Sequence, residues 1–352
     1  MKIRSRITES ILGGIALLLT ACSGNLPGDG NTGGTDSPGT PEEKGEPVSI
    51  TFDMGSAIQT RAEDGTTQDE TMGIGNTFRI YVYDMTGITD IKDLDFSTPM
   101  TQSVYTVKEV GDKRVATGPL TLYRGTYYMY LVSYNSDSEQ PENDNGKINV
   151  VNGYDFMYTV LPNVVVQPQT SGSNQMSVKL PTPFKHLGSQ VRVSAARKDV
   201  SQPVEINTLE VEQITINGLH HSLDYSLKEF KWDSNDVFND SYTFYNYNNA
   251  FTRENDDTRS PWISPSTVLL PVDGSAFLTF DVKLKISYKD NGAYKTITPT
   301  YTASMQKVLM PGMTYQFDFL LTFYGELIPA DLTLAVKEYN EIELDSDGLG
   351  AD

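Results

Sequence analysis

From residue 48 onward the chain is a succession of short runs in which apolar and polar residues alternate, separated by turn residues, and nowhere does a 3.6-residue period persist. The first run is Val48-Ser49-Ile50-Thr51-Phe52-Asp53-Met54, which stops at Gly55. Alternation with period two sends successive side chains to opposite faces of a strand, so each run predicts a half-buried strand. Residues 78–84, 164–166, 176–180, 190–194, 209–217, 267–270, 276–288, 294–301, 314–322 and 331–338 repeat the pattern. The run 126–134 is almost entirely aromatic and β-branched, which predicts a central strand. Asp290-Asn291-Gly292 lies between two runs and predicts a tight hairpin, because Asn-Gly tolerates the positive φ such turns need. By contrast, the polar stretch 59–65 has no apolar periodicity and reads as a loop. Many short strands with turns between them predict an all-β chain built of sandwiches rather than α/β layers.

The N-terminal segment obeys different rules. Lys2, Arg4 and Arg6 precede an apolar stretch, residues 11–19, that is too short to span a bilayer. This is the anatomy of an export signal, residues 1–21. It ends in Leu19-Thr20-Ala21-Cys22, similar to a bacterial lipobox, in which the thiol is acylated and becomes the first residue of the processed chain. Cys22 is the single cysteine of 352 residues, so no intramolecular disulfide can form. Residues 22–47 are dominated by Gly, Pro, Ser, Thr and acidic residues, which bury too little to offset the entropy of ordering, and read as a flexible tether. The remaining length exceeds one ordinary core and predicts two domains, 48–185 and 186–352, with the boundary near Pro183.

Charge and residue usage exclude several functions. With 27 Lys+Arg against 46 Asp+Glu the net charge is −19, wrong for a protein whose affinity comes from neutralising phosphates, so nucleic acid is not an expected partner. Three histidines, two of them adjacent (His220, His221), and one cysteine leave no spacing for a His/Cys metal site. No GxSxG, Gly-rich phosphate loop or HExxH motif occurs, so no catalytic residue, metal or cofactor is expected. His186 reads as a strand-end histidine with one structural hydrogen bond. The stretch 239–251, rich in Tyr and Asn and flanked by Trp232 and Trp262, has two readings. Its rings cover the end of a sandwich, or Tyr242, Tyr245, Tyr247, Trp232 and Trp262 form a surface for a glycan or host protein.

The order of these features resembles the fimbrillins of Bacteroides-type anaerobes, the subunits of type V pili. The residues that carry the resemblance are the lipobox and tether, one alternating strand, Thr60-Arg61-Ala62 in a polar stretch, and the 78–84 strand. Arg124-Gly125-Thr126-Tyr127 through Val132-Ser133-Tyr134-Asn135 continues it. So do Phe184-Lys185-His186-Leu187 leading into Val191-Arg192-Val193, and Pro311-Gly312-Met313-Thr314-Tyr315-Gln316-Phe317-Asp318. The resemblance implies two tandem transthyretin-like β-sandwich domains of Greek-key type. It further implies a lipoprotein precursor held in the outer membrane through Cys22 and partnered by other fimbrial subunits, identical or related. An Arg-specific protease would cut between Arg61 and Ala62, in the loop 55–77. A C-terminal strand of another subunit would then replace the first strand, 48–54.

Elementary physics is compatible with that scheme. If Val48, Ile50, Phe52 and Met54 fill a groove in the core, cutting after Arg61 leaves them held by noncovalent contacts alone. The groove would then accept another alternating segment, gaining main-chain hydrogen bonds and apolar contacts at every second residue. The tail, 331–352, offers Leu332, Leu334 and Val336, then Ile342 and Leu344. An ordinary last strand packed in its own domain has the same period, so both readings of the tail stand. Tyr339 occupies the penultimate region where the family's major stalk subunit carries Trp, which leaves stalk, accessory and tip roles open. The competing functional reading is a surface lipoprotein that binds a glycan or host protein through a sandwich.

Overall fold

The computed structural model describes residues 45–61, 67–138, 140–167, 174–198, 205–233, 237–323 and 331–340. In chain order the strands are β1 (Val48–Asp53), β2 (Ile58–Arg61), β3 (Thr67–Glu70), β4 (Thr77–Asp84), β5 (Thr101–Val110), β6 (Lys113–Leu122), β7 (Gly125–Ser133), β8 (Asn143–Asp144), β9 (Lys147–Val151), β10 (Met157–Val166), β11 (Gln175–Lys179) and β12 (Phe184–His186). They continue as β13 (Ser189–Lys198), β14 (Ile206–Leu219), β15 (Ser222–Ser226), β16 (Lys231–Trp232), β17 (Asp240–Tyr245), β18 (Trp262–Ile263), β19 (Thr267–Leu269), β20 (Phe277–Asp290), β21 (Ala293–Ile297), β22 (Thr300–Gln306), β23 (Met313–Thr322) and β24 (Asp331–Asn340). Among the described residues the only helical pieces are two single 3-10 turns, so the fold is all-β as the alternation predicts.

Ten strands form one sheet in the order β11-β1-β6-β5-β4-β7-β10-β12-β2-β3. Its inward residues make a first core from Val48, Ile50, Phe52, Met54, Phe78, Tyr105, Met129, Leu131 and Phe184, among others. Two five-stranded sheets, one built on β18-β13-β23-β24 and one on β17-β14-β20-β21, face each other across a second core. There Val191, Val193, Phe317 and Phe319 meet Ile214, Ile216, Phe280 and Val282. A third core lies between the outer face of the ten-stranded sheet and the small sheet β16-β15-β9-β8. That small sheet pairs β9 with β15, joining strands from either side of residue 185.

Strand β7 explains its own composition. Tyr127, Met129 and Leu131 enter the first core while Tyr128, Tyr130 and Val132 enter the third, so both faces are buried and no polar alternation is possible. The third core is unusually rich in phenols. Burial pushes the hydroxyls of Tyr81, Tyr83, Tyr128, Tyr130 and Tyr225 there, and of Tyr105 in the first core, well above the ordinary value of 10.0. A phenol whose folded value is raised favours folding fully below the unfolded value, and that contribution is lost as pH rises through the folded one. Stability is therefore expected to fall above about pH 10, the unfolded phenol value. A tyrosinate absorbance titration should show these six rings ionising together with the loss of structure; ionisation in a still-folded chain would contradict the burial.

Two glycines set turns that other residues could not. At the β20–β21 hairpin Asn291 and Gly292 both have positive φ (48° and 81°), as the Asp290-Asn291-Gly292 reading requires. Gly218 interrupts the register of β14 against β17 with φ of 87°, and a Cβ there would lie 2.5 Å from the carbonyl oxygen of Phe277. Gly218→Ala is expected to cost about 1–2 kcal/mol from the left-handed backbone alone, with the carbonyl clash adding to it. Urea unfolding at unchanged slope gives the measure.

Three expectations are corrected by the fold. The stretch read as a loop at 59–65 is in part strand: β2 pairs in parallel with β12 and antiparallel with β3, while residues 62–66 lie outside the described set. β2 is held to its neighbours β12 and β3 by backbone hydrogen bonds, which any composition can make, so polar composition did not betray it. The segment read as a Tyr/Asn loop contains β17, in which Tyr242 and Phe244 turn toward the second core and Ser241 and Tyr245 toward solvent. The single strand expected at 294–301 is split into β21 and β22 around Thr298-Pro299, since proline cannot donate to the ladder.

Candidate assembly site

β1 lies between β6, with which it runs antiparallel, and β11, with which it runs parallel. Val48, Ile50, Phe52 and Met54 each have 0% of their surface exposed. Phe52 sits edge-on to Tyr105 and Phe78, with ring centroids 5.1 Å and 5.8 Å away. Tyr105 also donates its hydroxyl to the Ile50 carbonyl at 2.8 Å, tying the core to the β1 backbone. The ring of Tyr105 fits because Gly118 has no side chain; a Cβ there would come within 2.6 Å of it. After Met54 the chain buries Ala57 and Ile58 in the same core before reaching Arg61, the last residue of β2, whose register partner is Thr67. A cut after Arg61 would thus separate a segment carrying six buried apolar residues, Val48 to Ile58, from the remainder of the chain. Cys22 and Ala62 lie outside the described residues.

β24 is different in kind. It pairs antiparallel with β23 over all ten of its residues, Asp331 to Asn340, and lies at the edge of its sheet. Leu332, Leu334 and Val336 are only half-buried against the second core, while Thr333, Ala335 and Lys337 are exposed. The contrast with β1 follows from position: a strand with one neighbour leaves half its backbone and one flank of each side chain uncovered. Lys337 pairs with Asp318 at 3.2 Å, and Asp318 also accepts from Ser194 and Gln316. Here β24 occupies its own sheet, one of the two placements the period allowed; Ile342 and Leu344 lie outside the described residues.

The five aromatic residues considered as a ligand surface do not share one. Trp232 packs in the third core against Phe156 and Tyr225, its indole donating to the Leu187 carbonyl at 3.1 Å. Trp262 donates to the Leu209 carbonyl at 2.8 Å and carries the Arg253 guanidinium over its ring. Tyr242 lies against Phe244 on the second core. Large amphipathic rings turn their bodies inward once their polar atom is satisfied, as the two indoles do. Tyr245 and Tyr247 remain outside, stacked 5.0 Å apart and 46% and 72% exposed. Asn246 holds the loop between them by donating to Val211 and accepting from Phe251. His186, at the end of β12, bonds the Asp155 carboxylate through Nδ1 at 2.6 Å, a structural tie between β12 and the β9–β10 connection.

The geometry defines a class, an all-β sandwich protein whose first strand is wholly inserted in a core it shares with eight other strands of its sheet. The fimbrillin-like family matches residues 60–334, and the chain belongs to that family. Among solved structures it is similar to a candidate cell adhesion protein from Bacteroides fragilis NCTC 9343, with TM-score 0.53 and 17% identity over 85% of this chain and 100% of that one. It is also similar to a fimbrial protein from Bacteroides vulgatus ATCC 8482, with TM-score 0.53 and 12% identity over 84% of this chain and 99% of that one. At these identities the likeness is one of fold. No curated protein matches the chain.

Proposed function

We propose that the chain is a structural, non-enzymatic subunit of a cell-surface fimbria, made as a lipoprotein precursor acylated at Cys22, cut after Arg61, and polymerised when a strand of another subunit takes the place of β1. Family membership supports the fimbrial role and association with other subunits. The observation that carries the strand-replacement reading is the burial of β1: four residues at 0% exposure, between two strands, upstream of an arginine at a hairpin end. Removing β1 would uncover the paired backbones of β6 and β11 and an apolar trough, which is what an alternating strand can fill. The family match begins at residue 60, so all but the last two residues of the segment that would be shed lie upstream of it. The partners are an Arg-specific protease, the outer membrane through the lipid, and further subunits. Digestion of the purified precursor with an Arg-specific protease is expected to give an N terminus at Ala62 and multimers that survive SDS. A trimmed monomer that stays monomeric would overturn this reading. The exposed Tyr245–Tyr247 stack favours one alternative, a surface lipoprotein that holds a glycan or host protein there, for which retention of that monomer on a glycan column would be the sign.

A further inference from the structure

A pocket of about 300 Å³ lies at the end of the ten-stranded sheet where β1 begins. Thr121 and Leu122, the register partners of Ser49 and Val48, form part of its wall. Leu122 and Tyr127 in that wall belong to the same core as Val48, Ile50, Phe52 and Met54, so the pocket borders the core that β1 fills. Met100 and Tyr123, also in the wall, are 50% and 47% exposed, an apolar rim that folding leaves in solvent. Arg124 completes the rim and has no ion-pair partner among the described residues, whereas the Asp84 carboxylate, also in the wall, accepts from the Thr86 amide and hydroxyl at 2.9 Å and 2.7 Å.

A strand with two neighbours and four fully buried side chains cannot be exchanged in one step, because all its pairings would be lost before any replacement formed. Exchange is feasible if the incoming strand first occupies free surface beside one end of β1 and then advances residue by residue, each new pairing offsetting one lost. We infer that the pocket at Met100, Leu122, Tyr123 and Arg124 is that first docking site, and that its occupant is the Glu341-Ile342-Glu343-Leu344 segment of a second copy of this chain. Ile342 and Leu344 match the apolar wall, and Glu341 and Glu343, alternating with them, match Arg124. The inference rests on the strand-replacement reading, yet it requires something separate: recognition of the tail while β1 is still in place.

The test uses the full chain with Arg61→Ala, which keeps β1 attached, and a synthetic peptide with the sequence of residues 338–352. The peptide is expected to bind this uncut protein, with affinity falling at least roughly tenfold on Arg124→Glu and on Met100→Asp, both at exposed positions, and falling with added salt. A peptide with Glu341→Lys and Glu343→Lys should recover binding to the Arg124→Glu protein. Absence of binding to the uncut protein, or equal affinity for all variants, overturns the docking site. In the protease-trimmed protein, Arg124→Glu is expected to delay multimer onset by a similar factor. Trimmed wild type and variant assembling at one rate would reject the pocket and leave strand replacement standing, whereas wild type that never assembles would reject strand replacement itself.

Discussion

Replacing Phe52 by alanine is expected to destabilise the chain by about 3–5 kcal/mol, the range for removing a large ring from a fully buried site. Phe52 has no exposed surface, and its ring is held edge-on by Tyr105 and Phe78. The β6 backbone beside it is fixed by its own pairing with β5, and the Tyr105 and Phe78 rings against it are themselves fully buried, so the space left cannot close by a small shift. Truncation also loosens the Tyr105 hydroxyl bond to the Ile50 carbonyl, which holds the middle of β1. Urea denaturation gives the value. Leu334→Ala is the natural comparison: Leu334 is half-buried on an edge strand, so its loss should cost about 1 kcal/mol, in proportion to the smaller apolar area removed from water. Equal costs for the two would mean that β1 is no more firmly seated than β24. If strand replacement operates, Phe52→Ala should also multimerise faster once trimmed, because the departing strand is held more weakly.

Arg61→Ala is expected to leave stability unchanged and to abolish multimers altogether. Its backbone pairing with Thr67 survives the substitution, since alanine keeps both the N–H and the C=O. What changes is covalent continuity after protease treatment. While β1 and β2 remain joined to the rest of the chain, they compete for the trough as an intramolecular partner, at an effective concentration on the order of millimolar for short links. A strand from another molecule at micromolar concentration cannot displace them at equilibrium. After the cut that advantage disappears. Arg61→Lys sharpens the experiment: multimers should return with trypsin and be missing with a protease strict for arginine. Multimers formed by Arg61→Ala under either protease would show that strand replacement uses another site or does not occur.

The strands whose burial depends on their own composition were legible. β1, β4, β7, β14, β20 and β23 all fall where alternation or a continuous aromatic run places them, and Asn291-Gly292 turns the chain as its φ preference dictates. The β2–β3 hairpin was not legible, because its place is fixed by the open backbone of β12 rather than by apolar periodicity. β17 was hidden for a related reason: six aromatic and amide residues in a row, residues 244–249, suggest a recognition loop, and only pairing with β14 shows which of the rings are turned inward. The aromatic surface dissolved in the same way, Trp232 going to one core and Trp262 to another. The docking pocket has no sequence signature at all, since it arises where the ends of four strands and the turn between β6 and β7 converge.

By itself the sequence determined that this chain is all-β, that Val48 to Met54 present one apolar face, and that an arginine follows within a few residues. Period two and side-chain chemistry are local properties, and local properties can be read along a chain. Only the tertiary structure decided that β1 has two neighbours and β24 one, that β9 pairs with β15 across the middle of the chain, and that Leu122 leaves a pocket beside Val48. Those facts depend on which backbone edges meet, and edges of equal hydrogen-bonding capacity are told apart only by the packing of side chains brought together from distant parts of the sequence.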